Sequence, residues 1–276
     1  MPLNSLKIQE LCAAYGIVPA KSRGQNFLIN DSALQKIAEA GELTSKDTVL
    51  EVGPGLGVLT DELISRAGRV IAVELDKKIL QFLKQKYVNV TNLELIEADI
   101  LQLNLNEIGL KNGEYKVIAN LPYNITSFFL RLFLENSQNK PKEMVLMIQK
   151  EVAERIVATT GEMSVLAVMA QFYAKASVVL EVPKDSFWPS PKVDSSVIRL
   201  ELKKDLPAID IKNFFRIVKI GFAAKRKQLH NNLSNGLHLP ATTTKKILTD
   251  MGFDEKVRAQ ELGVEDWVKL VKNLTD

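Results

Sequence analysis

Histidine and cysteine are scarce in this chain, with two of the first and one of the second among 276 residues. Zinc sites are built mainly from these two residue types, so zinc hydrolase and zinc deaminase chemistry lacks its ligands. His230 and His238 can serve only singly. A Cys–His nucleophile pair would depend on Cys12, which lies in a leading segment without a chemical motif. A single cysteine cannot close a disulfide within the chain, which fits a reducing compartment. Long apolar runs are missing too: no stretch approaches the roughly 18 uninterrupted apolar residues of a membrane span. The opening MPLNSLKIQELCAAYGIVPAK sets one Lys before an apolar stretch broken by Gln9 and Glu10, which is not a secretory signal. These absences predict a cytoplasmic protein that works away from membranes and without a metal.

What is present is an ordinary globular composition, 46% hydrophobic, with a formal charge of only +3. At roughly 150 residues per domain, the length predicts one large domain or two unequal ones. From about residue 30, strand-like apolar runs alternate with segments of helical period, the pattern of parallel βαβ units. Residues 49–53, 70–74, 93–99, 116–122, 144–149, 176–182 and 195–202 read as seven strands. The last two are joined by a short Pro-rich connection that predicts an antiparallel edge on a parallel sheet. Asp31 is placed to cap a helix carrying Leu34, Ile37 and Ala38, and a single helix is expected over 150–174. After residues 203–207 the pattern is helical throughout. Residues 206–276 hold 12 Lys/Arg and 8 Asp/Glu against 24 and 25 before them, so a tail of +4 follows a body of −1. That asymmetry points to an acidic partner for the tail.

In an open α/β sheet, ligands bind outside the carboxyl ends of the strands. There the first strand runs into E-V-G-P-G-L-G at 51–57, and the next three end at Glu74, Asp99 and Asn120. Gly53, Gly55 and Gly57 give G-x-G-x-G, not the G-x-G-x-x-G that seats a pyrophosphate. Glu51, Glu74 and Asp99 would repel phosphates. They suit a ligand with an adenosine, a sulfonium and no phosphate, as in S-adenosylmethionine. Glu74 is then expected on the ribose hydroxyls and Asp99 on the adenine amine. Asn120-Leu121-Pro122-Tyr123 supplies the chemistry that such a cofactor needs. The Asn120 side-chain oxygen and the Pro122 carbonyl can both accept from an exocyclic adenine amine and localise its lone pair, while Tyr123 stacks on the base. In-line methyl transfer requires aim more than deprotonation, so neither histidine nor metal is needed.

N-L-P-Y at 120–123, E-V-G-P-G-L-G at 51–57 and K-S-R-G-Q-N-F-L at 21–28 together resemble the ribosomal RNA adenine N6,N6-dimethyltransferases. The resemblance continues through F-W-P-S-P-K-V-D-S at 187–195 and F-A-A-K-R-K-Q-L-H-N-N-L at 222–233, and so covers nearly the whole chain. It implies a Rossmann-like α/β methyltransferase domain over 1–205, with a mostly parallel seven-stranded sheet and an antiparallel edge strand. It also implies a small all-α RNA-contacting domain over 206–276. Asn26, Leu28, Gly53, Gly55, Glu74, Asp99 and Asn120 become cofactor positions, and Asn120, Pro122 and Tyr123 the catalytic loop. Phe187, which otherwise reads as hairpin core, becomes an aromatic that holds the flipped base. Lys225, Arg226 and Lys227 become RNA contacts, with Lys at 225 where many relatives carry Arg, at some cost in bidentate phosphate recognition.

The implied substrate is a pair of adjacent adenosines in a hairpin near the 3′ end of small-subunit (16S) rRNA, dimethylated during subunit biogenesis by a monomer. The erythromycin-resistance methylases share N-x-P-Y and act on large-subunit rRNA, but their tail resembles this one less. The small net charge predicts that an assembled particle, rather than bare RNA, supplies part of the affinity. A small-molecule methyltransferase would not need the base clamp or the basic tail. A DNA adenine methyltransferase could share the loop chemistry, and an inactive assembly factor would not need an intact one.

Overall fold

The computed structural model describes residues 5–19 and 24–275. Lys21, Ser22 and Arg23 of the expected motif lie outside the described residues. The chain divides into two compact units, Met1–Ala153 with Lys175–Leu202 and Glu154–Ala174 with Lys203–Asp276.

In the first unit the elements run α1 (Ser5–Ala14), β1 (Phe27–Leu28), α2 (Asp31–Ala40), β2 (Thr48–Val52), α3 (Val58–Arg66), β3 (Arg69–Glu74) and α4 (Lys77–Lys86). They continue with β4 (Leu93–Glu97), β5 (Tyr115–Asn120), α5 (Thr126–Arg131) and β6 (Glu143–Gln149). After α6 (Lys150–Ile156) and α7 (Val165–Tyr173) come β7 (Ala174–Val182), β8 (Phe187–Trp188) and β9 (Ser195–Leu202). The seven expected strands all form and join one sheet in the order β4-β3-β2-β5-β6-β9-β7. Strands β2 to β6 pair in parallel, and β9 runs antiparallel to β6. The central strands β2, β3, β5 and β6 are buried along nearly their whole length, which is why they read as unbroken apolar runs. The edge strands β4 and β7 alternate with exposed positions and carry charges that discourage pairing with another chain.

Helices α2 and α3 pack Leu34, Ile37, Leu59 and Leu63 on Val49, Ile118 and Val145 of the sheet. A second cluster joins Ile8 and Cys12 of α1 to Ile79, Phe82 and Leu83 of α4 and to Leu56 of the glycine loop. Strand order reverses between β2 and β5, since β3 and β4 extend to one side and β6 to the other. That reversal opens a crevice at the carboxyl ends of β2 and β5.

Two local readings need correction. Asn30, not Asp31, caps α2, its side-chain oxygen accepting from the Ala33 amide at 3.1 Å, while Asp31 is the first helical residue. The helix expected over 150–174 is interrupted between α6 and α7, where Gly161 takes φ 101° and Ser164 starts a new helix by capping Ala167. A two-residue ribbon also forms, with Leu28 opposite Phe187, from segments too short to carry a periodicity.

The second unit collects α7 with α8 (Ile211–Gly221), α9 (Leu229–Leu237), α10 (Ala241–Asp250) and α11 (Val264–Thr275). Phe172 of α7 stacks on Phe214 at 4.7 Å, and Tyr173 on Phe215 at 5.8 Å, so aromatic burial ties α7 to the tail helices. A division at 205/206 by composition does not include that helix. Trp267 is fully buried against Gly221, where an added Cβ would lie 2.3 Å from the indole. Among the described residues, no helix is long and apolar enough to cross a membrane.

Candidate active site

The loop after β2 turns on glycines with positive φ: 65° at Gly53, 56° at Gly55 and 76° at Gly57. Two of them are also required by close approach. A Cβ on Gly55 would press the Phe27 ring at 3.2 Å, and one on Gly57 would meet the Tyr87 hydroxyl at 2.4 Å. The far end of the loop is held from α4. Tyr87 Oη donates toward the Gly57 carbonyl at 2.6 Å and lies 2.7 Å from Asp61 Oδ1. Lys86 Nζ donates to the Leu56 and Gly57 carbonyls, both at 3.2 Å, and to Asp61 Oδ2 at 2.7 Å. Nothing in the spacing of Lys86 or Tyr87 announces this clamp; only the turn of α4 back over the loop creates it.

The next strand fixes the near side. Glu74 is buried at the end of β3, with Oε2 accepting from the Gly55 amide at 3.4 Å and Oε1 from the Asp76 amide at 2.8 Å. Burial pushes its carboxyl above the usual range, and these amides oppose that shift. Asp99, half-buried after β4, accepts from the Leu101 amide at 2.9 Å and from Gln102 Nε2 at 3.1 Å. Leu75, Ile79 and Ile100 place apolar surface beside these two carboxylates.

Asn120 ends β5, and its Nδ2 donates to the Asn26 carbonyl at 3.4 Å. Among the described residues its Oδ1 accepts no hydrogen bond, so one acceptor stays open at the crevice. The Pro122 carbonyl already accepts from the Ile125 amide at 3.1 Å and the Thr126 hydroxyl at 3.4 Å. Tyr123 Oη meets Ser195 Oγ of β9 at 2.7 Å, which fixes the phenol end of the ring.

Asn26, Leu28, Gly53, Gly55, Glu74, Asp99, Asn120, Pro122 and Tyr123 all line one cavity at the switch point. Phe187 does not: its ring is 3% exposed, in the core behind its strand partner Leu28. Neither histidine lines the cavity, and His230 is buried in the tail unit with Nδ1 3.0 Å from the Glu255 carbonyl. Among the described residues no Lys, Arg or His lines it, whereas Glu51, Glu74, Asp76 and Asp99 do. That acidic, acceptor-rich lining suits a cationic nucleoside ligand and disfavours a phosphorylated one. Glu51 needs a correction. It is 1% exposed, takes the Thr60 hydroxyl at 2.7 Å, and burial raises its carboxyl to about 8, so at neutral pH it adds little to that repulsion. The repulsion belongs to the other carboxylates.

In the tail unit, Lys225, Arg226 and Lys227 are exposed between α8 and α9. Arg226 and Lys227 line a polar recess together with Gln228, Asn231, Asn235 and Arg258. Arg258, brought there from 31 residues beyond Lys227, was not foreseeable from the basic run.

The family model for ribosomal RNA adenine dimethylase matches residues 20–276. The ribosomal RNA small subunit methyltransferase A of Dehalococcoides mccartyi is 43% identical over 271 residues, covering 98% of this chain and 93% of that one. The protein of the same name from Moorella thermoacetica is 38% identical, covering 94% and 93%. Among solved structures, a dimethyladenosine transferase from Plasmodium falciparum superposes with a TM-score of 0.76 at 29% identity, covering 88% of this chain and 95% of the other. The 23S rRNA methyltransferase ErmE superposes with a TM-score of 0.75 at 27% identity, covering 91% and 100%.

Proposed function

The chain belongs to the ribosomal RNA adenine dimethylase family, and from that premise we propose that it dimethylates N6 of two adjacent adenosines in a hairpin loop near the 3′ end of small-subunit rRNA, during subunit biogenesis. The enzyme is an S-adenosylmethionine-dependent rRNA adenine dimethyltransferase. The observation that carries the finer reading is Asn120-Leu121-Pro122-Tyr123 on the same cavity as the glycine loop, Glu74 and Asp99.

The bound cofactor supplies an electrophilic methyl on a sulfonium. Glu74 and Asp99 receive hydroxyl and amine donors on the oxygen lone pairs that their backbone amides leave free. The glycine loop gives backbone access, and Leu28 of β1 and Asn26 just before that strand cover the site. Asn120 Oδ1 accepts from the target amine. The Pro122 carbonyl can add a second acceptor only when the Thr126 hydroxyl, the longer of its two donors at 3.4 Å, turns away. Together these acceptors favour a pyramidal nitrogen whose lone pair faces the methyl. Tyr123 stacks on the base with its hydroxyl held by Ser195. Phe187 supports that assembly from behind Leu28, and reaches the base itself only if the ribbon shifts. The methylated amine is acidic enough to lose its proton to solvent.

Lys225, Arg226, Lys227 and the recess they share with Arg258 are assigned to rRNA phosphates, which position the substrate without reading its sequence. Because the chain carries only +3 overall, a small subunit or its assembly intermediate is the substrate, acted on by a monomer in the cytoplasm. The test is transfer of labelled methyl to small subunits lacking adenine dimethylation, followed by mapping of the modified nucleotides. Two adjacent dimethyladenosines near the 3′ end support the reading, and far slower transfer to protein-free rRNA supports the particle as substrate. Modification of large-subunit rRNA instead would favour the macrolide-resistance type, and the 23S rRNA methyltransferase ErmE shares the fold closely.

A further inference from the structure

Helix α5 begins directly after the N-L-P-Y loop, and its two consecutive phenylalanines have opposite fates. Phe129 is fully buried and stacks on Phe133 at 4.2 Å. Phe128 is 65% exposed, and among the described residues its ring stacks on no other aromatic. Phenylalanine is a middling helix former, so neither packing nor propensity explains a bare ring at that position.

Its neighbours give it a direction. Asn124, in the turn that precedes α5, is exposed and lines the cavity. Arg131, three residues on, is 59% exposed, with the Glu135 carboxylate 4.0 Å away. An exposed aromatic ring and guanidinium thus share one face of the helix that follows this lining residue. An RNA whose adenine enters that cavity must cross the mouth, and bases next to a flipped nucleotide lose a stacking partner.

We propose that Phe128 is a stacking platform for an unpaired rRNA base adjacent to the methylated adenine, with Arg131 contacting the phosphate beside it. The inference rests on the rRNA substrate proposed above. An aromatic face accepts any base, so the platform sets affinity and register rather than sequence.

The test compares wild type with Phe128→Ala, Phe128→Leu and Phe128→Trp, using small subunits that lack adenine dimethylation. For Phe128→Ala, KM for the subunit should rise about fivefold to tenfold. Turnover at saturating subunit, the Kd for S-adenosylmethionine and the melting temperature should stay within experimental error. Phe128→Trp should match wild type or bind the subunit more tightly, and Phe128→Leu should behave like Phe128→Ala. Arg131→Gln should raise KM less, and the increase should fade at high salt. An unchanged KM in Phe128→Ala, full rescue by leucine, or an effect confined to cofactor affinity would each overturn the platform. Wild type that fails to modify these subunits at all would instead overturn the substrate reading.

Discussion

The two ends of the central sheet use polar residues in opposite ways, and β5 carries one example of each. At its start Lys116 is buried, its ammonium donating to the Gly41 and Glu42 carbonyls at 2.7 and 3.1 Å, with Asp47 at 3.7 Å and Glu143 at 4.0 Å. Arg199 from β9 completes the group, 2.6 Å from both Glu143 Oε1 and Glu42 Oε1. Two cations and three carboxylates from four segments are thus paired with one another. At the other end of β5, Asn120 keeps an open acceptor, and Glu74 and Asp99 hold amides on one side while lining a cavity on the other. Polar groups paired with one another hold a fold together, and those left open at a crevice are available for chemistry.

The sharpest way to break this contrast is to truncate one residue at each end of β5. Asn120→Ala should lower single-turnover methyl transfer by about a hundredfold or more, as loss of an aimed hydrogen-bonding group at a reacting centre does. Its melting temperature should barely move, and cofactor affinity should fall much less than turnover. Turnover within tenfold of wild type would remove Asn120 from the chemistry. Lys116→Met should do the reverse. Removing one member of a buried ion group leaves uncompensated charges and costs about 3 kcal/mol in denaturant unfolding. Transfer by the fraction still folded should be unaffected, and unchanged stability would show that Asp47, Glu143 and Arg199 rearrange without it.

Legibility in the sequence follows the same division. The strands and the order of their carboxyl ends were readable because burial on both faces writes unbroken apolar runs, and because a topological switch point makes strand-end residues converge. Glu74, Asp99, Asn120 and the glycines were found that way, whereas Asn26 and Leu28 were named only through the family resemblance. The Lys116 group was invisible, since its members are ordinary charged residues 157 positions apart at the extremes. So was the Lys86 and Tyr87 clamp, which depends on the crossing of α4 over the loop. Glu51 was visible but misread: its letter gives a carboxylate, and only its burial makes it a neutral acid.

Glu51 offers a milder test because it lies between the two regimes, lining the cavity yet satisfied by Thr60. In the folded chain its carboxyl titrates at about 8, against an ordinary glutamate value near 4.5. The folded state therefore keeps a proton that the unfolded chain has released across that window. Its stability is full below the lower value and declines as pH rises toward the upper one, by at most about 1.4 kcal/mol per pH unit. Glu51→Gln keeps an acceptor for the Thr60 hydroxyl and has nothing to titrate. Melting curves of the ligand-free protein should show wild type losing stability between pH 5 and pH 8 by more than the variant loses. Parallel pH profiles would mean that Glu51 is ionised in the folded chain.

The smallest effect expected is at Tyr87, a group that is saturated yet sits against the functional edge. Its hydroxyl shares the Gly57 carbonyl with Lys86, so Tyr87→Phe removes one of two donors and leaves the ring in place. A net hydrogen bond is worth about 1 kcal/mol, so the Kd for S-adenosylmethionine should rise about threefold to fivefold. Lys86→Met should add to that loss, because the ammonium holds three acceptors across the same turn. A clamp that only positions the glycine loop acts before chemistry, so turnover at saturating cofactor should be unchanged in both variants. If saturation fails to restore turnover, the loop contributes to the transfer step itself, and the separation of structural from chemical polar groups would have to be redrawn through Gly57.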